Sequence, residues 1–287
     1  MAMNYSVKQV MRRFGWLVCG AWLVVAGGCG GGGPGPEEEG GIPIVLQIDA
    51  EELNPAGLTR ICDELTRRGI PATLFVSPGM ASYYIEDIHQ LYLSGFEIAL
   101  LASPLGELSH EGQGRELRTG LGAVSGCPLC KTDQPIVGLR PVDFFQDEDT
   151  YQLVDSLQFV YDAGFQARRI YLSGHEEETF PYRQEGYDFV VVPVSTVRWE
   201  GEWVCAVDRE FEQRAGASGE QWGALLTEGL EQAVERQEPL VVVVCDALTG
   251  EPNGEYWSPF LGFLSQAEKQ GARFLTTERL VIEYATD

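Results

Sequence analysis

Asp49 closes the apolar run Ile42–Ile48, in the stretch Ile-Pro-Ile-Val-Leu-Gln-Ile-Asp-Ala-Glu-Glu. A short apolar run ending in an acid reads as a buried parallel strand, and α/β proteins gather their chemistry at the carboxyl ends of such strands. Two further strand-like runs end in reactive side chains. Ile136–Leu139 leads to Arg140-Pro141, and Leu240–Val244 leads to Cys245-Asp246. Asp49, Arg140, Cys245 and Asp246 thus all fall at expected strand ends, where such folds place their chemistry. Ala50, directly after Asp49, contributes no functional atom.

Other residue types are sparser. The three histidines stand apart in sequence. His89 falls on a helix face with Ile88, Leu91 and Tyr92, where packing or exposure explains it. His110 reads as a loop histidine that could swing toward a site mouth. His175 precedes Glu176–Glu178 and could hold a cation with them, although a solvated acidic loop explains the same residues. Zinc therefore enters only if His110 or His175 builds a site, and no cofactor is otherwise expected. Cys127-Pro128-Leu129-Cys130 has the spacing of a redox pair or half a zinc site, but no second pair follows. In an oxidising compartment it reads as a local disulfide, with a free pair as the alternative. Cys245 could be a nucleophile, yet no histidine is placed to activate it, and a buried core thiol accounts for it as well. Trp199, Trp203, Tyr256 and Trp257 fall in expected loops or hairpins, where their ring faces could bind sugar or cap the fold.

Positioning these residues requires a scaffold. Beyond Ile42, helical and strand-like patterns alternate, which predicts a single α/β domain over residues 42–287. The expected helices are 54–68, 80–93, 112–124, 149–163, 221–237, 258–270 and 278–284. The expected strands include 72–76, 96–101, 136–139, 169–172, 187–192 (stopped by Pro193), 240–244 and 273–275. Residues 197–206 read as a hairpin turning at Glu200-Gly201, with Trp199 and Trp203 flanking the turn. Right-handed crossovers would wrap about seven strands into an irregular (β/α) barrel.

The chain has 287 residues and a formal charge of −23. The first 28 residues hold Lys8, Arg12 and Arg13 and no acid, so the remainder is more acidic still, at −26. Such a surface repels nucleic acid and anionic lipid. Residues 1–28 combine a basic start with the apolar run Phe14–Gly28, which is short for a membrane span and fits a secretory signal. Val25-Ala26-Gly27-Gly28-Cys29 resembles a bacterial lipobox, departing from it at Ala26. The resemblance implies lipidation at Cys29, a lipid-anchored protein of the cell envelope, and an outer-membrane or periplasmic address. Residues 29–41, Gly- and Glu-rich, read as a tether.

The domain itself resembles the polysaccharide deacetylases, the NodB-homology domain of carbohydrate esterase family 4. The resemblance rests on Gln47–Glu51 (QIDAE) for the family's T-F-D-D-G, Ala72–Val76 (ATLFV), Gly95–Leu101 (GFEIALL) for G-H-E-I-x-x-H, Gly138–Phe144 (GLRPVDF) for R-x-P, Val241–Asp246 (VVVVCD) for L-x-H, and Gln270–Val281. It implies a metal hydrolase in which Asp49 is the base and Arg140 steadies it. The metal ligands would fall at Ala50, Leu101 and Leu105, and the general acid at Cys245. None of the three ligand positions carries a donor atom. The sequence thus leads to an envelope lipoprotein with a deacetylase-like barrel acting in glycan or partner binding. The alternatives are a carbohydrate deacetylase with a rebuilt site and a structural interaction module of the envelope.

Overall fold

The computed structural model describes residues 40–51, 55–125, 136–214 and 217–285. Cys29, the signal and most of the tether, and the Cys127/Cys130 pair lie outside the described residues. β1 (Pro43–Ala50) is central. Ile44, Leu46, Ile48 and Ala50 pack on the helix layer against Leu58, Ile61 and Leu65, while Val45 faces an inner cluster with Phe75, Ala99, Leu101, Val241 and Val243. That two-faced burial is why β1 reads as a nearly unbroken apolar run.

Parallel strands extend from β1 in one direction: β2 (Thr73–Val76), β3 (Glu97–Ala102), β4 (Gly138–Pro141), β5 (Tyr161–Gln166) and β7 (Val190–Val194), with the two-residue β6 (Tyr182–Arg183) antiparallel at the edge. On its other side β1 pairs with β10 (Leu240–Cys245), in a register that sets Asp49 opposite Cys245. β11 (Arg273–Leu275) pairs with Pro43–Val45 of β1, whereas β2 pairs with Gln47–Ala50. The sheet curls into a half-barrel of the (β/α) type. The remaining gap is bridged by the flanks of the antiparallel hairpin β8 (Thr196–Trp199) and β9 (Glu202–Cys205). Ser195 N donates to Val241 O at 3.1 Å, and Val243 N to Ala206 O at 2.9 Å.

The helices are α1 (Ala56–Arg68), α2 (Pro78–Tyr83), α3 (Ile85–Leu93), α4 (His110–Ser125), α5 (Glu148–Ser156), α6 (Asp208–Glu212), α7 (Gly219–Arg236), α8 (Trp257–Lys269) and α9 (Thr277–Tyr284). The hairpin turns where expected. Glu200 and Gly201 both have positive φ (49° and 89°), the geometry that matches strand twist in a two-residue turn.

Five expectations are corrected. The single helix over 80–93 is two, broken at Tyr84 (φ −123°, ψ 38°) with no glycine or proline to mark it. The helix begun at 149 ends at Ser156, and Tyr161–Gln166 is a fully buried strand. Asp162, Gly164 and Gln166 hide its apolar character, and a bulge between Asp162 and Phe165 disrupts its alternation. Residues 169–172 form no strand, and only Ile170 makes an isolated bridge, to Gln166. Pro193 lies inside β7; β6 pairs only with Val190 and Val191, so no β6 residue needs an N–H from Pro193. His110 opens α4 and is not in a loop.

Gly138 of β4 lies under the Tyr161 ring. A Cβ there would come 2.1 Å from Tyr161 Cζ, and the ring cannot swing away while its hydroxyl is bonded to Glu97. Gly138→Ala is expected to lower unfolding stability by about 1–3 kcal/mol, read from urea denaturation; an unchanged midpoint would refute this packing.

Candidate functional site

The site builds up from Arg140, which is 1% exposed in the barrel interior. β4 projects it inward beside Leu101, its register neighbour on β3. Its Nε lies 3.2 Å from Asp49 Oδ1. Its Nη2 donates to Gln47 Oε1. The guanidinium carbon stands 4.3 Å from the Phe75 ring centre and 5.4 Å from that of Phe144. Asp143 and Phe144, directly after β4, both adopt left-handed backbone (φ 55° and 59°), a rare conformation for non-glycine residues, and Phe144 there covers the cation.

Polar bonds continue below the ion pair. Gln47 Nε2 donates to Thr277 Oγ1 (3.0 Å), Thr277 Oγ1 to Thr73 Oγ1 (2.8 Å), and Thr73 Oγ1 to Glu97 Oε2 (2.7 Å). Tyr161 donates to Glu97 Oε1 at 2.5 Å. Burial pushes Glu97 above the usual carboxylate range and Tyr161 well above its ordinary value.

Above the ion pair, the ends of β1 and β10 meet a helix. Asp208, fully buried at the start of α6, accepts from Cys245 N with both oxygens (3.0 and 2.9 Å) and from Thr249 Oγ1 at 2.6 Å. Arg209 follows, sending Nη1 to Glu51 Oε1 at 2.6 Å and Nη2 to Cys245 Sγ at 2.8 Å. Asp246 is 1% exposed; its backbone N donates to Asp49 O, and its Oδ1 accepts from Glu51 N at 3.5 Å. Asp49, Arg140, Cys245 and Asp246 are therefore brought together. Glu51, Asp208 and Arg209 were missed by sequence reasoning. The signal available was the charged pair Asp208-Arg209 directly after the buried run Val204–Val207.

Electrostatics follow from burial. Desolvation lifts Asp49 from 3.8 to about 6; Arg140 pulls it back, Glu51 pushes it further up and Arg209 opposes. Burial likewise raises Asp162 and Asp208 to about 7, and Glu278 to about 7 with help from Glu97. Burial pushes the Cys245 thiol up, so it is a neutral thiol at physiological pH.

At the positions that the resemblance gives to a metal, Ala50 and Leu105 are fully buried against the helix-side core and Leu101 is 1% exposed in the inner cluster. These residues do not fit a metal ion. Among the described residues no group of three His, Cys, Asp or Glu could hold one. His110 Nδ1 lies 3.3 Å from Asp149 Oδ1, and His175 stacks on Tyr182 at 4.0 Å.

The four aromatics have distinct settings. Trp199 lines a cleft of about 320 Å³ with Glu200, Phe211, Arg214, Ala217 and Gln221. The Trp203 ring is met by the guanidiniums of Arg168, Arg198 and Arg236 at 4.6, 5.4 and 5.5 Å. Trp257 lies under Arg60 at 4.1 Å. Tyr256 is buried, with its ring 6.1 Å from that of Trp222.

The curled parallel sheet with its outer helices has the fold of the polysaccharide-deacetylase (β/α) barrels. Solved structures with this fold include the Puue allantoinase (15% identity, TM-score 0.70, covering 86% of this chain and 91% of that one). The probable polysaccharide deacetylase of Pseudomonas aeruginosa PAO1 matches at 15% identity and TM-score 0.69, over 84% and 90% of the two chains. A CE4 family pseudoenzyme from Bacillus anthracis matches at 11% and 0.52, over 87% of this chain and 68% of that one. No family model and no curated protein matches the sequence.

Two predictions follow from the buried charges. Asp49→Ala leaves the Arg140 guanidinium without its counter-charge and is expected to cost about 3–5 kcal/mol in chemical denaturation; an unchanged midpoint would show that the pair carries no weight. Asp49, Asp162, Asp208 and Glu278 all have folded-state values above their unfolded ones, so between about pH 4 and 7 the native state binds more protons than the unfolded state. Stability should therefore fall as pH rises through that window. At about 1 M salt, which screens surface repulsion, Tm is expected to be higher at pH 5 than at pH 8, and a rising profile would contradict the burial of these acids.

Proposed function

We propose that this chain is a lipid-anchored protein of the cell envelope whose deacetylase-type barrel binds a glycan at its mouth without the metal chemistry of that fold's hydrolases. What supports this reading is that the three positions the resemblance gives to metal ligands carry Ala50, Leu101 and Leu105, each buried and without a side-chain donor atom. A single substitution leaves a weakened site; three leave no coordination sphere. The structural likeness to a CE4 family pseudoenzyme supports the same reading. The envelope address rests on the basic start, apolar run and Cys29 of the N-terminal segment. Among the described residues no helix is long and apolar enough to cross a membrane.

A second reading is favoured by one observation. Asp49, raised to about 6 and 14% exposed, is poised to accept a proton near neutral pH, with Arg140 to hold it. On that reading the chain is a carbohydrate deacetylase using Asp49 and Arg140, with Cys245 and Asp246 at the same strand ends.

One experiment separates them. Residues 42–287 are dialysed against zinc, analysed for metal, and titrated calorimetrically with N-acetylated oligosaccharides while acetate release is followed. The expected result is no retained zinc, saturable oligosaccharide binding and no acetate. Zinc near one equivalent, or acetate release abolished by Asp49→Ala, would overturn the binding-only reading.

A further inference from the structure

The barrel mouth contains a cation that belongs to the chain. Arg209 sits in the first turn of α6, and its fork spans two strand ends: Nη1 reaches Glu51 beyond β1, and Nη2 reaches the Cys245 thiol at the end of β10, at 2.6 and 2.8 Å. Its side chain is 29% exposed and that of Glu51 24%, so the pair lines the mouth without leaving solvent. Four carboxylates share this region. Asp49 pairs in register with Cys245, Asp208 clamps the Cys245 amide, Asp246 accepts from the Glu51 amide, and Glu51 holds Arg209 directly. Against them stand two guanidiniums, Arg140 on the inner side of Asp49 and Arg209 on the outer side. A metal hydrolase would meet such a concentration of acids with its bound ion. Here the positions for that ion's ligands are apolar.

We infer that Arg209 is the resident cation of the mouth, a positioning residue that ties the ends of β1 and β10 together and balances the mouth carboxylates where this type of barrel would otherwise carry a metal. The geometry calls for arginine in particular. A planar fork can bond a carboxylate and a thiol at once, whereas an ammonium is a single point charge. The inference concerns the charge balance of the free protein and holds whether or not a glycan binds.

The test is a double-mutant cycle on residues 42–287, using Arg209→Gln and Glu51→Gln, read as Tm at pH 7.5 in low and high salt. In the parent protein Glu51→Gln is expected to lower Tm. In the Arg209→Gln background the same change should raise it, because Glu51 then faces only other acids. Added salt should shrink this reversal. Arg209→Lys should fall between wild type and Arg209→Gln, and if Arg209→Gln does not fold, the uncharged Arg209→Met serves for the cycle in its place. A Glu51→Gln effect of the same sign and size in both backgrounds would overturn the inference, since it would show that Arg209 only fills space. Loss of oligosaccharide binding with the sign reversal intact would strike the glycan reading alone.

Discussion

A guanidinium buried inside a β/α barrel is the constraint on which the rest of the interior depends. Taking Arg140 out of water is costly, and its attraction to Asp49 offsets that cost only if further hydrogen bonds complete the arrangement. β1 answers it twice, with Gln47 and Asp49 on the inner face while Ile44, Leu46 and Ile48 serve the outer one. Gln47 then needs a partner, which α9 supplies through Thr277, and that demand passes to Thr73 on β2 and Glu97 on β3, ending at Tyr161 on β5. One buried charge thus orders side chains from five strands and the last helix. Such a network contributes more to a unique register than to net stability, because each member is costly if left alone.

The mouth poses the opposite problem, an excess of negative charge. Asp49, Asp208 and Asp246 lie within a few residues of strand ends that converge, and the chain as a whole is acidic. Burial eases this by holding Asp49 and Asp208 closer to neutrality than free carboxyls. Hydrogen bonding eases it further, since Asp208 accepts from a backbone amide and a threonine hydroxyl.

Much of this was legible in sequence where one physical signal dominated. β1 and β10 were evident because both faces are buried and almost every residue is apolar. The β8–β9 hairpin was evident because residues 197–206 alternate around the Glu200-Gly201 turn. Asp49 was found as the polar end of an apolar run, and Arg140 through its place in the Gly138–Phe144 stretch that resembles the R-x-P motif. β5 was not, because Tyr-Asp-Ala-Gly-Phe-Gln places an acid, a glycine and an amide inside a buried strand, and their partners (the Gly164 amide for Asp162, Glu210 for Gln166) come from the folded structure. The break at Tyr84 carries no local breaker. Asp208 and Arg209 look like any charged pair after a strand, and only the convergence of β10 and β1 gives them a role.

β1 shares one edge between β2, made soon after it, and β11, made more than 200 residues later, while β10 takes the other edge. β1 is therefore completed by strands that follow it by about two hundred residues. A chain emerging from its N-terminus can assemble β2 through β5 early, but β1 keeps an open edge until β10 arrives, and half of its other edge until β11 does. Contacts of such long sequence separation form slowly, and an unpaired edge in the interval invites wrong partners. Production of this domain should thus be sensitive to where translation stalls: a pause before residue 240 would leave one whole edge of the central strand unpaired, and one between β10 and β11 would still leave half of the other edge open.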